Sequence, residues 1–130
     1  MIRKLLLSFV MMLLGLSLQA QAGEIKFAQI TDNHFSVKSD YSANVLKSAI
    51  NDINSQGNIS FVVFTGDNID SSKEENLRAF LKIVKRLNIP YYIVIGNHDV
   101  FKSNGISKKK YMDIVKQNNW FRASIMTATL

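Results

Sequence analysis

Three short polar clusters stand out along the chain: Asp32-Asn33-His34, Gly66-Asp67-Asn68 and Gly96-Asn97-His98-Asp99. Each directly follows a hydrophobic run. Carboxylate, amide and imidazole groups gathered from three such places are the donor types that a pair of hard divalent cations takes. Singly the clusters say little, since Asp and Gly are common in turns and a lone His is usually a packed side chain. Gly-Asn-His-Asp is the most specific, because four residues with distinct physical uses fall together.

The elements that must position these clusters are legible as alternating strands and helices. Ile25 to Ile30 reads as a first strand, and Val45, Leu46, Ala49, Ile50 and Ile53 mark an amphipathic helix from about Asp40 to Gln56. Asp40 is the expected N-cap and Gly57 the expected stop. Phe61 to Phe64 is apolar on both faces, as a buried parallel strand is. Ser72 and Glu75 form a capping-box pattern ahead of the stripe Leu77, Phe80, Leu81, Val84 and Leu87. Pro90 opens a third strand, Tyr91 to Ile95, with proline at the tolerated first position. A last helix from about Ser107 to Asn118 turns Tyr111, Ile114 and Val115 inward. The fold class is therefore α/β, a β-α-β-α-β-α chain with a parallel three-stranded sheet and right-handed crossovers. Each cluster then falls at the carboxyl end of a strand, the edge where open α/β sheets bind ligands.

The N-terminus is of another kind. Arg3 and Lys4 precede an almost unbroken apolar run from Leu5 to Leu18, and Ala20-Gln21-Ala22 supplies a small-x-small cleavage site. Fourteen helical residues rise about 21 Å, short of the roughly 30 Å hydrocarbon core. Residues 1–22 are read as a signal peptide, leaving one domain at 23–130, exported to a periplasm or secreted, with no stable membrane span after cleavage. Cleavage takes the formal charge from +6 to +4, fourteen Lys and Arg against ten Asp and Glu. That surplus does not indicate a nucleic-acid partner. The chain has no cysteine, so no disulfide supports it. The bland readings are kept elsewhere: Lys108-Lys109-Lys110 as a solvated face, Asn58-Ile59-Ser60 as a turn, and Trp120-Phe121 as core.

Taken in order, the clusters resemble the calcineurin-like metallophosphoesterases, whose pattern is Asp-x-His, Gly-Asp-x-x, Gly-Asn-His-Asp/Glu, then a later His and Gly-His-x-His. The first three blocks match as Asp32-Asn33-His34, Gly66-Asp67-Asn68-Ile69 and Gly96-Asn97-His98-Asp99, and the resemblance covers about Glu24 to Trp120. It implies one half of a four-layer α/β/β/α fold. It also implies hydrolysis of a phosphate-ester substrate, a phosphomonoester or phosphodiester, by a metal-activated hydroxide at a centre of two divalent ions (Mn, Fe or Zn). By position, Asp32 and His34 would bind the first metal, Asp67 would bridge both, and Asn97 would give its amide oxygen to the second. His98 would donate to the leaving oxygen, and Asp99 would orient the His98 ring.

The chain departs from the family pattern after Asp99. Its two histidines, His34 and His98, are both assigned. The expectation is a truncated N-terminal half, with an incomplete metal centre, weakly active or inactive alone, and open to self-association through an exposed sheet. The tail from Ser124 has no clear periodicity and is either the start of a next element or sequence read in a shifted frame. Two other readings are a non-catalytic metal- or phosphate-binding fragment and an enzyme completed by a partner chain.

Overall fold

The computed structural model describes residues 23–100, 104–118 and 123–126, the last four as backbone only. The expected signal peptide and the Trp120-Phe121 pair lie outside the described residues. Seven elements follow in order: β1 (Phe27–Ile30), α1 (Asp40–Ser55), β2 (Phe61–Phe64), α2 (Glu74–Val84), β3 (Tyr91–Val94), α3 (Lys108–Asn118) and β4 (Ala123–Met126). The expected β-α-β-α-β-α order is present. The tail adds one more strand, so the start of a next element is what the chain forms there.

All strand pairs are parallel, and the sheet order is that of the sequence. Phe27 pairs with Phe61 and Ile30 with Phe64, which aligns the ends of β1 and β2. Phe64 pairs in turn with Ile93. Because each strand neighbours the next, right-handed crossovers place all three helices on one face. The burial pattern agrees. Val62, Phe64, Tyr91 and Ile93 are buried, whereas the alternate residues Phe61, Val63, Tyr92 and Val94 are only half-buried. Leu46, Ile50, Leu77, Phe80, Leu81, Tyr111, Ile114 and Val115 close the core from the helix side. Phe80 stands edge-on to Phe64 at 5.4 Å between ring centroids. Truncating a core ring of this kind costs about 3–5 kcal/mol.

The opposite face carries an aromatic row. Phe27 stacks on Phe61 at 5.2 Å, and Phe61 meets Tyr92 edge-on at 5.6 Å, with Phe27 55% exposed. Among the described residues no helix is long and apolar enough to cross a membrane.

Three helix ends differ from expectation. The cap of α1 is Ser39, whose Oγ accepts from the Ser42 amide at 3.2 Å, and Asp40 occupies the first helical position, where its charge suits the helix dipole. Gln56, in extended backbone, ends that helix before Gly57 is reached. The Ser72–Glu75 capping box does not form. The cap position of α2 is Lys73, with no side-chain cap bond, because Ser72 is buried against Gly105 and its carbonyl accepts from the Ile106 amide at 2.8 Å. The α2 end is tied by Asn76 instead, which accepts from the Val37 amide and donates to Ser71. Ser107 does open α3 as expected, accepting from the Lys110 amide through Oγ at 3.2 Å.

Candidate metal centre

The loops beyond β1 and β2 run on side by side after the strands end. Asp32 donates its amide to the Gly66 carbonyl at 3.2 Å, His34 to Asp67 at 3.0 Å, and Phe35 to Asn68 at 3.0 Å; the Asp70 amide returns to Phe35 at 3.0 Å. Phe35 and Ile69 complete the pairing as a parallel bridge, both buried. This ladder fixes the first two clusters against one another. It also holds Asp32, His34 and Asp67 in the left-handed region, at φ of 50°, 42° and 48°. Side chains rarely stay there without surrounding bonds that compel it, and each such residue costs of order 1–3 kcal/mol.

Glycine is required twice. Gly66 has a φ of 110°, and a Cβ on it would press the Gly96 backbone at 3.1 Å. A Cβ on Gly96 would overlap the amide nitrogen and carboxylate of Asp67. The third cluster therefore lies directly on the second, and the His98 amide donates to Asp67 Oδ1 at 3.0 Å.

The result is a convergence of donors. One ligand atom each from Asp32, His34 and Asp67 lies within 4.8 Å of the other two. Donors about 2.1 Å from a common ion sit roughly 3–4 Å apart, so small side-chain rotations bring all three onto one cation. Two carboxylates and an imidazole suit a divalent ion of the Mn, Fe or Zn kind. Asp32, Asp67 and Asn97 line one small cavity of about 150 Å³ with Gly66 and Gly96. The four residues expected to hold metal are thus gathered at one edge of the sheet. His98 is exposed beside them, its ring edge-on to that of His34 at 4.9 Å.

The expectation for Asp99 requires correction. Its carboxylate does not approach the His98 ring, whose Nδ1 lies 3.3 Å from the Asp70 carbonyl. Asp99 is fully buried and accepts from the Gly96 amide at 2.8 Å, the Asn68 side-chain amide at 2.8 Å and the Ile69 amide at 3.0 Å. Neighbouring side chains in a tight loop diverge, so His98 faces solvent and Asp99 the interior. Burial pushes the Asp99 carboxyl above its usual range, and the hydrogen bonds from Gly96, Ile69 and Asn68 oppose this in part. Burial and the Asp99 charge also push the Tyr111 hydroxyl well above its usual range.

Sequence reasoning named Asn68 in the second cluster without giving it a role, yet it ties the loops together. Its amide donates to Asp99, to the Val94 carbonyl at 2.9 Å and toward the Tyr111 hydroxyl at 3.4 Å. Its sequence signal is its place in the Gly66-Asp67-Asn68 cluster; nothing local marks it as buried.

An open parallel sheet with carboxylate and imidazole donors at its carboxyl edge is an α/β arrangement that could hold a divalent ion there. Residues 25–128 match the family model described as calcineurin-like phosphoesterase, and the chain belongs to that family. It is 33% identical over 78 residues to the "Probable glycerophosphodiester phosphodiesterase GpdQ" of Arcobacter nitrofigilis, a match covering 55% of this chain and 29% of that protein. It is 34% identical over 83 residues to the "Probable cyclic nucleotide phosphodiesterase" of Colwellia psychrerythraea, covering 58% of this chain and 32% of that one. The chain thus spans about a third of the length of these relatives.

Proposed function

We infer that this chain contributes the metal-binding and proton-donating residues of a phosphoesterase acting on phosphodiesters. The carrying observation is the convergence of Asp32, His34 and Asp67 within 4.8 Å. The names of both relatives support the diester as substrate class. Asp32, His34 and Asp67 would hold one divalent ion, and Asp67 with Asn97 would face a second. Ions bound there would neutralise an anionic ester and acidify a water. His98, exposed beside the cluster, is placed to donate a proton or hydrogen bond to the departing oxygen. Its ring is held by the Asp70 carbonyl, and Asp99 acts further back by tying the Gly96 and Asn68 loops together.

The test is metal binding read by Mn²⁺ electron paramagnetic resonance, alongside hydrolysis of a chromogenic phosphodiester. Asp67→Asn is expected to weaken Mn²⁺ binding by at least about 100-fold, more than the loss typical of an outer residue. Unchanged Mn²⁺ affinity in that variant defeats the reading. His98→Ala is expected to retain Mn²⁺ and lose hydrolysis.

The same proposal extends to location and assembly. The basic start, apolar run and Ala20-Gln21-Ala22 site support export, testable by N-terminal sequencing of the periplasmic product. The aromatic row Phe27, Phe61 and Tyr92 supports self-association through the sheet, testable by sedimentation before and after Phe27→Lys.

A further inference from the structure

Two different sets of bonds hold the donors of the candidate centre. Asp32, His34 and Asp67 ride on the backbone ladder between the first two loops, in which Asp32 donates to Gly66, His34 to Asp67 and Phe35 to Asn68. No side chain takes part in those bonds. Asn97 and His98 stand instead on the loop beyond β3, which meets the ladder from the side. There the His98 amide donates to Asp67 Oδ1 at 3.0 Å. That bond ends on a half-buried carboxylate, the group an arriving ion would compete for.

A buried anchor lies behind it. The Asn68 side-chain nitrogen donates to the Val94 carbonyl at 2.9 Å and to Asp99 Oδ2 at 2.8 Å. Val94 is the last residue of β3 and Asp99 closes the turn that follows, so one side chain braces both ends of the segment carrying Asn97 and His98. Asn68 is only 1% exposed, and a bond to a carboxylate is strong where water does not compete. An amide nitrogen has two hydrogens, and these two acceptors use both. The Tyr111 hydroxyl stands farther off, at 3.4 Å. Through its main chain the same residue belongs to the ladder, its carbonyl accepting from Phe35 at 3.0 Å.

We propose that Asn68 is a positioning residue. Its side chain sets the place of Asn97 and His98 relative to Asp32, His34 and Asp67, and takes no part in holding those three. The inference rests on the phosphoesterase reading above and adds what positions its proton-donating half. Without the Asn68 donor, Asp99 keeps the Gly96 and Ile69 amides but loses its link to the end of β3. The turn is then free to shift, and the His98 ring reports it. His98 Nδ1 lies 3.3 Å from the Asp70 carbonyl, and because a carbonyl only accepts, that contact keeps the proton on Nδ1.

The experiment is heteronuclear NMR of the full chain without metal, comparing wild type with Asn68→Leu and Tyr111→Phe. Leucine keeps the branched shape and removes the donor. In Asn68→Leu the Gly96 and His98 amides are expected to exchange with solvent at least about tenfold faster, the scale of one lost bond to a charged group. The His98 ring nitrogens are expected to lose the Nδ1-protonated pattern. The Asp32, His34 and Phe35 amides should exchange as in wild type. Mn²⁺ affinity, read by electron paramagnetic resonance, should fall less than about tenfold, below the loss usual for an outer residue that touches a ligand. Tyr111→Phe leaves both Asn68 hydrogens bonded and is expected to match wild type throughout.

Faster exchange at both sets of amides, or an equal effect from Tyr111→Phe, makes Asn68 a packing residue and overturns the proposal. Unchanged Gly96 and His98 amides overturn it too. If Asn68→Leu does not fold, wild type decides. Its Asn68 side-chain hydrogens and its Gly96 and His98 amides are expected to exchange through one shared opening, apart from the ladder amides, and unrelated openings defeat the assignment. A wild-type chain that takes no Mn²⁺ defeats the phosphoesterase reading, whereas the exchange pattern alone decides what Asn68 positions.

Discussion

Removing the Asp99 carboxylate separates two roles that its place beside His98 makes easy to confuse. In Asp99→Ala the Gly96 amide, the Ile69 amide and the Asn68 side chain each lose an acceptor at 2.8–3.0 Å, inside the protein. A buried donor left unpaired costs about 1–3 kcal/mol, and three of them would exceed 3 kcal/mol. Relief of the buried carboxylate's own desolvation offsets part of this. The expected net loss is about 3–5 kcal/mol, a large fraction of the 5–15 kcal/mol that a domain ordinarily has. At roughly 3–5 °C per kcal/mol, between the values for smaller and larger domains, the melting temperature should fall by about 10–25 °C. Asp99→Asn keeps the shape and one acceptor oxygen but turns an amide against a donor, and should cost about half as much. Urea denaturation followed by circular dichroism measures both.

The pH dependence has a definite sign. Burial raises the Asp99 carboxyl in the native state, so the folded chain holds a proton that the unfolded chain has already released. Stability from this group is complete below the ordinary carboxylate pKa and is lost as pH rises through the raised native value. The deficit of Asp99→Ala relative to wild type should therefore be larger in mild acid than at neutral pH. If both variants stay within 1 kcal/mol of wild type while the His98 ring titration moves, Asp99 orients the ring after all and the assignment here is wrong.

Gly96→Ala should displace Asp67, since the new methyl overlaps its amide and carboxylate; a loss of about 1–3 kcal/mol is expected with weaker Mn²⁺ binding, and retained affinity would refute the close approach. Ser39→Ala removes the cap of α1 and should cost about 1 kcal/mol by thermal melting while leaving Mn²⁺ binding unaltered, because the change is local. Burial pushes the Tyr91 hydroxyl up to about 12, so its ultraviolet ionisation should come late. Between the ordinary tyrosine value and 12 the unfolded chain releases its proton first, so stability falls with rising pH there, and Tyr91→Phe should flatten that fall.

The three clusters were legible because they end apolar runs, and a strand terminus facing solvent is the simplest place for such residues. Alternation of strand and helix carried the order of elements for the same local reason. What was missed depended on contacts distant in sequence. Ser72 has the right type and spacing for a capping box, but the loop at Gly105 and Ile106 claims it. Asp40 and Ser39 are both good cap residues, and only the backbone at Ser39, with φ −123° and ψ 101°, decides between them. The resemblance implied that Asp99 orients His98, whereas its partners are Asn68 and Ile69 beyond β2 and Gly96 beyond β3. The fourth strand was one of two readings of the tail, because the residues from Ser124 show no clear periodicity of their own.

The left-handed backbone at Asp32, His34 and Asp67 sets the terms on which this chain can change. Glycine at any of the three would relax the local conformation, and asparagine would ease it at His34. Substitutions that raise the melting temperature at these positions are therefore the ones that remove the donors. A screen for thermal tolerance alone would erode the cluster first and leave the hydrophobic core untouched. The three donors therefore sit where the backbone makes them a cost to folding stability rather than a contribution to it.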